Sequence, residues 1–139
     1  MDIRGRILAV DYGEKNIGLA YCDELGLTVQ PMPSMPNLGT ANLMKKLRAV
    51  AGTLAIQEIV LGIPYKMDGT RGDAAQRMEK LLEALKAALK IPISGVDESL
   101  STVEAMEVWQ GMNRKQQKKY RTVDSLAAAF ILERHLKET

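Results

Sequence analysis

The sequence has few of the residues that build disulfides, zinc sites and base-stacking surfaces. Its 139 residues include one cysteine, Cys22, and one histidine, His135. A single cysteine excludes an internal disulfide and any zinc site with several Cys ligands. Aromatic residues make up 4% of the chain, too few for a platform that stacks the bases of single-stranded nucleic acid. Because Cys22 lies in an apolar strand pattern, we expect it to pack in the core rather than pair with His135 as a nucleophile.

Long apolar runs and a strong charge bias are missing as well. No apolar run approaches the ~20 residues that span a bilayer, and the first residues lack a signal-peptide pattern. We therefore expect a cytoplasmic protein without a membrane partner. The formal net charge of +2 is too small to indicate nucleic-acid binding by itself, so only the distribution of charge can. A hydrophobic content of 46% over 139 residues predicts one domain with one core, residues 1–139.

Apolar periodicity predicts an α/β domain. Two strands flank the glycine-containing turn YGEKN, and a short third strand is expected to stop at the prolines of PMPSMPN. Alternating helices and strands follow, which predicts a mixed five-stranded sheet with three antiparallel strands, then parallel crossovers, flanked by helices. The predicted strands are 5–11, 17–22, 27–31, 58–64 and 91–96, and the predicted helices are 40–56, 73–89, 101–112 and one from 123 onward.

Carboxylates stand at the ends of these predicted elements. Asp11 ends the first strand, Asp97 and Glu98 end the last, and Asp124 begins the final helix. Each could be a turn or helix-start residue, but ligand sites in such sheets gather at the carboxyl ends of strands. Acids brought together there repel one another unless a cation lies between them, and oxygen-only ligands suit Mg²⁺ or Mn²⁺. Such cations catalyse in-line displacement at phosphodiesters, so the pattern favours a nuclease.

A run of positive charge precedes Asp124 in the segment NRKQQKKYR. Such a run is commonly a solvated helix face, but beside a metal site it could hold phosphates. Lys15 in the first turn, with Lys66 and Arg71 in the glycine-containing loop, could extend the same surface. The candidate nucleic-acid-binding residues of the run are Arg114, Lys115, Lys118, Lys119 and Arg121.

Four segments together resemble the YqgF (RuvX) family of the ribonuclease H-like superfamily. They are AVDYGEKNIGLAYCD, IVLGIPYKMDGT, VDESLSTVEA and VDSLAAAFILE, and they occur in the family's order over nearly the whole chain. The resemblance implies a ribonuclease H-like fold and a nuclease that depends on Mg²⁺ or Mn²⁺. It also implies a nucleic-acid substrate, either the 5′ end of pre-16S rRNA during ribosome biogenesis or branched DNA cut by a Holliday junction resolvase.

The resemblance also assigns roles within these motifs. It makes Asp11 the carboxylate of the first strand, Asp124 that of the final helix and Glu98 the third catalytic ligand, with Asp97 a weaker candidate because successive strand residues face opposite ways. One position departs from the pattern. The family usually has Arg after Asp-Glu, where this chain has Ser99, and a fixed bidentate partner for phosphate or carboxylate is thereby lost.

Two other functions are compatible with the residues. One is an ATPase of the actin and sugar-kinase kind, which also has Asp-x-Gly before a hairpin but needs two such domains. The other is a non-catalytic nucleic-acid-binding module on a nuclease scaffold. The sequence leaves a monomer and a homodimer equally open, although a symmetric junction would favour a dimer.

Overall fold

The computed structural model of the chain describes residues 5–64, 72–98 and 101–138, with the backbone alone at 101–103. Strands and helices follow in the order that the periodicity predicts, with one extra helix. The strands are β1 (Arg6–Tyr12), β2 (Asn16–Cys22), β3 (Val29–Pro36), β4 (Ile56–Ile63) and β5 (Ile93–Asp97). The helices are α1 (Thr40–Leu54), α2 (Asp73–Ala88), α3 (Ser101–Gly111), α4 (Arg114–Tyr120) and α5 (Val123–Lys137).

The five strands form one mixed sheet in the order β3-β2-β1-β4-β5. β1 pairs antiparallel with β2 and parallel with β4, so it is the central strand. β2 pairs antiparallel with β3, and β4 pairs parallel with β5. The expected fold class, a mixed α/β sheet of the ribonuclease H-like kind with three antiparallel strands before the parallel crossovers, is confirmed.

Alternation along β1 sends its side chains to two different helical layers. Leu8 and Val10 pack in the larger core, with α1 and α2 above them. Ile7 and Ala9 face the other way and pack against α5 together with Cys22. The backbone N–H of Ile7 donates a hydrogen bond to Sγ of Cys22 at 3.3 Å, so the expected core position of this cysteine is confirmed. Asp11, next in the same alternation, therefore belongs to the α5 layer.

The third strand runs further than expected. The prediction that it ends at Pro31 was wrong, because β3 continues to Pro36 and pairs with β2 along most of its length. Proline lacks a backbone N–H and is excluded from central strands, but an edge strand can leave that side of its backbone unpaired. β3 is such an edge strand, since β2 is its one neighbour in the sheet.

The basic run forms a separate helix, α4, which the apolar periodicity did not reveal. Its start is a capping box in which the Asn113 side chain accepts from the backbone N–H of Gln116, and the Gln116 side chain accepts from that of Asn113. No residue of α4 is buried, so its helical conformation depends on local capping more than on an apolar face. Within the described ranges, no helix is long and apolar enough to cross a membrane.

Candidate active site

Asp11 lies on the central strand between two glycine neighbours. On one side it is paired with Gly18 of β2. On the other side, Val10 pairs with Leu61, so Asp11 lies beside Gly62 of β4. Glycine has no side chain, so both flanks of the carboxylate are open to groups from other elements. Asp11 is nevertheless 7% exposed, which makes it a buried charge at the end of a core strand.

Glu98 reaches this position from the edge strand β5. Its backbone N–H donates to the carbonyl of Ile63 at 3.0 Å, which continues the β4–β5 ladder by one residue. Alternation along β5 gives Glu98 the face of Val96, which packs with the α5 layer, and gives Asp97 the opposite face. Glu98 is 9% exposed, and its carboxyl forms a hydrogen bond with the Asp11 carboxylate.

Gly62 makes this contact possible. Strands β1 and β5 are separated by β4, which places their backbones roughly 10 Å apart, and the two carboxyls meet across that strand. A Cβ at Gly62 would lie 3.0 Å from Cβ of Glu98, 3.2 Å from its Oε2 and 2.7 Å from Cδ1 of Ile131. Any side chain at position 62 would therefore displace Glu98 or the end of the Ile131 side chain.

Asp124 is brought to the other flank of Asp11 by the start of α5. A Cβ on Gly18 would overlap the backbone carbonyl of Asp124, so the helix start rests directly on β2. Thr122 caps the helix by accepting from the backbone N–H of Ser125 at 3.1 Å. The buried Ser125 hydroxyl donates to the carbonyl of Met32 on β3, which fixes the helix over the sheet.

Burial and mutual repulsion shape the protonation of this cluster. Burial raises the pKa of Asp11, and the nearby charge of Asp124 adds to that effect, while the hydrogen bond from Glu98 opposes it. Burial, followed by the charge of Asp11, raises the pKa of Glu98 to about 9. At neutral pH the raised pKa of Glu98 therefore keeps a proton in the hydrogen bond between Glu98 and Asp11. Oε2 of Glu98 is buried and has no hydrogen-bond partner among the described residues.

These groups fit a divalent cation by their chemistry. A buried carboxyl oxygen without a partner is costly, and an oxygen-liganded cation would satisfy it and replace the proton between Glu98 and Asp11. The half-buried Asp124 would contribute the third carboxylate. Within the described residues, no three Asp, Glu, His or Cys side chains are already grouped as a metal-binding cluster.

The predicted cationic residues do not all lie together. Lys119 and Arg121 border a hollow of about 380 Å³ beside Thr28–Pro31, on the β3 side of the sheet. Arg114, Lys115 and Lys118 line a separate shallow surface on α4. Lys15 is exposed in the β1–β2 turn. Lys66 and Arg71 lie outside the described residues, as does Ser99.

Sequence reasoning missed one arginine near the site. Arg134 of α5 donates from Nη1 to the carbonyl of Asp97 at 3.3 Å, and its Nη2 lies 3.4 Å from Oε1 of Glu104 on α3. These contacts tie the end of β5, one residue before Glu98, to both helices. Arg134 lies about three turns after Asp124 on α5, and no local pattern in the sequence indicates that it contacts β5.

Comparison with known proteins identifies close and distant relatives. Residues 5–138 match the model of the family described as "RuvX: Holliday junction resolvase". A protein of Syntrophus aciditrophicus named "Putative pre-16S rRNA nuclease" is 39% identical over 131 residues, which cover 94% of this chain and 87% of that protein. A protein of Clostridioides difficile with the same name is 35% identical over 132 residues, which cover 95% of this chain and 94% of that protein.

Two solved structures show the same fold at low sequence identity. Thermus thermophilus RuvC in complex with a Holliday junction substrate superposes with a TM-score of 0.56 at 8% identity, covering 96% of this chain and 94% of that one. The fowlpox virus Holliday junction resolvase has a TM-score of 0.57 at 13% identity and covers 96% and 99%. At these identities the similarity is one of fold alone.

Proposed function

The chain belongs to the RuvX family, and from that premise we propose that it is a divalent-metal-dependent endonuclease that processes the 5′ end of pre-16S rRNA. The observation that supports this most is the buried Glu98–Asp11 carboxyl pair, whose Oε2 has no partner, at the carboxyl ends of the strands. A site that only bound nucleic acid would gain nothing from burying acids there, because phosphates are repelled by carboxylates. A cation between the acids and a phosphate turns that repulsion into attraction.

Each of the three carboxylates would have a role that follows from the element that carries it. Asp11, on the rigid central strand, would hold the cation from the sheet, with Glu98 on one flank and Asp124 on the other. Glu98 would release its proton on cation binding, so cation affinity would rise with pH. The bound cation would activate water for attack on phosphorus and stabilise the charge of the leaving oxygen. Asp97 is the weaker candidate ligand, because its position in the alternation places its side chain on the opposite face of β5.

The cationic residues would position the substrate without reading its sequence. Lys119 and Arg121 beside β3, and the exposed α4 surface of Arg114, Lys115 and Lys118, would bind phosphates of the substrate. Lys15 would act near the hairpin turn. The roles of Lys66 and Arg71 in the β4–α2 loop remain predictions from the sequence.

A cleavage assay tests this function. Purified protein would be incubated with a 5′-extended 16S rRNA precursor, or with a four-way DNA junction, in Mg²⁺ or Mn²⁺ at equal ionic strength. We expect cleavage of the precursor, and at least a 100-fold slower rate for Asp11→Asn and Asp124→Asn, since each removes a proposed ligand. Glu133→Gln is the matched control, because Glu133 is an exposed acid on the same helix as Asp124.

The alternatives give different results in the same assay. Faster cleavage of the junction than of the precursor would make the chain a resolvase, in keeping with the description of its family. Binding of both substrates without cleavage under either metal would make it a non-catalytic module. Full activity of Asp11→Asn would refute the proposed site whichever substrate is cut.

A further inference from the structure

A cavity of about 530 Å³ opens beside Glu98, at the carboxyl ends of β1, β4 and β5. We propose that it binds one unpaired nucleotide of the substrate strand, adjacent to the phosphodiester that is cut. This inference rests on the proposed nuclease function and adds a substrate-binding site to it. The cavity lies between the start of α1 and one face of α2, on the side of the sheet opposite α5.

The lining of the cavity is largely apolar, as a nucleobase requires. Met78 and Leu81 of α2 supply aliphatic surface, and Tyr12 supplies an aromatic ring from the end of β1. The Tyr12 hydroxyl donates to Oδ1 of Asn37 at 3.4 Å, and Nδ2 of Asn37 donates to the carbonyl of Gly13 at 2.8 Å. The ring is therefore held in place as a wall against which a base can stack.

Positive groups border the same cavity on its α2 and α1 sides. Arg77 and Lys80 are exposed on α2 and three residues apart, so they lie on one helical face. Thr40 is the first residue of the 15-residue helix α1, whose first turn contains no acid, so the positive end of that helix is not neutralised there. Glu14 and Glu98 lie on the sheet side. Phosphates would therefore follow α2, with the base directed inward.

The size of the cavity limits what can enter. Its volume falls in the range of about 300–1,000 Å³ that holds single small ligands, so a nucleotide fits. A base can enter only after leaving its stack, which costs least where the strand is unpaired. Glu98 lines the cavity at the end of β5 and also belongs to the proposed metal site. The cavity opens on the α1–α2 side of this sheet edge and the carboxyl pair lies on the α5 side, so the bound nucleotide and the reacting phosphate would meet at the edge between them. The site would therefore favour unpaired nucleotides at the point of cleavage.

A filling mutation in the cavity tests the proposal. Ala84→Phe adds an aromatic side chain at an exposed α2 position that lines the cavity, whereas Ala87→Phe adds it at an exposed position that does not. Two probes are used. Each is a single-stranded RNA with one 2-aminopurine, placed on one or the other side of the cleavage position, and each is titrated with protein in EDTA. We expect wild type and Ala87→Phe to quench one of the two probes, and Ala84→Phe to bind that probe at least tenfold more weakly.

A second pair of variants separates stacking from folding. Tyr12→Phe keeps the aromatic ring and should keep the quenching of the probe. Tyr12→Leu keeps an apolar side chain without a ring and should lose the quenching. The melting temperature of each variant shows whether it is folded. Equal quenching and equal KM for wild type and Ala84→Phe would overturn the nucleotide site, even if the protein cleaves RNA. Conversely, quenching that Ala84→Phe abolishes would support the site even if no metal produced cleavage, so the two proposals can fail separately.

Discussion

Replacing Glu98 by glutamine should stabilise the metal-free protein and remove most of its activity. Glutamine has nearly the same shape and can donate a hydrogen bond to Asp11, but it has no proton to lose. In wild type the pKa of Glu98 is about 9 in the folded chain, against 4.5 for an ordinary glutamate. Between these two pH values the folded chain holds a proton that the unfolded chain has released, so wild-type stability falls as the pH rises.

The size of the effect follows from that single proton. We compare the free energy of unfolding of Glu98→Gln with that of wild type. The advantage of the variant should grow by about 1.4 kcal/mol per pH unit between pH 5 and 8. From acidic pH to pH 7, the free energy of unfolding of wild type should therefore fall by about 3 kcal/mol because of this one group. The difference should level off as the pH falls well below 4.5, where Glu98 becomes protonated in the unfolded chain as well.

Urea unfolding measures this difference directly. Fluorescence of Trp109, the single tryptophan, would follow unfolding in EDTA buffers from pH 4.5 to 8.5. Glu133→Gln, which replaces an exposed acid of α5, is the control. Saturating Mn²⁺ at 100 times its Kd should stabilise wild type by about 2.7 kcal/mol, and Glu98→Gln by much less. A pH-independent difference between Glu98→Gln and wild type would refute the shared proton.

Three further changes probe how the site is positioned and how it binds. Gly62→Ala places a Cβ 2.7 Å from Cδ1 of Ile131, so we expect a loss of about 1–3 kcal/mol in urea unfolding and slower cleavage. Ser125→Ala removes the hydroxyl that donates to the carbonyl of Met32, so thermal denaturation should show a loss of about 1–3 kcal/mol. Lys118→Gln, at a predicted phosphate contact on α4, should weaken RNA binding and lower the salt slope by about 1, with an unchanged melting temperature.

The sequence was sufficient to predict the mixed sheet and to place three acids at strand and helix ends. Alternation in β1 and β2 and the helical spacing of α1, α2 and α5 depend on burial against a common core, which local patterns report well. Asp11, Glu98 and Asp124 could be grouped because strand ends and helix starts meet at one edge of such a sheet. Their chemical roles remain a proposal.

Features that depend on neighbours distant in sequence could not be found this way. Gly18 and Gly62 look like ordinary strand glycines until the register places them on either side of Asp11. The third strand was predicted to stop at Pro31, because an edge position that tolerates further prolines cannot be read from local residues. Nothing local distinguishes Arg77 and Lys80 from other charged residues of α2, because the cavity beside them is formed by three strand ends and two helices.

A crystal structure of the protein soaked in Mn²⁺ tests the central claim most directly. The claim predicts an anomalous peak between the carboxylates of Asp11, Glu98 and Asp124, with the hydrogen bond between Glu98 and Asp11 replaced by metal–oxygen contacts of about 2.0–2.2 Å. A metal-free carboxyl pair, still hydrogen-bonded at saturating Mn²⁺, would contradict it.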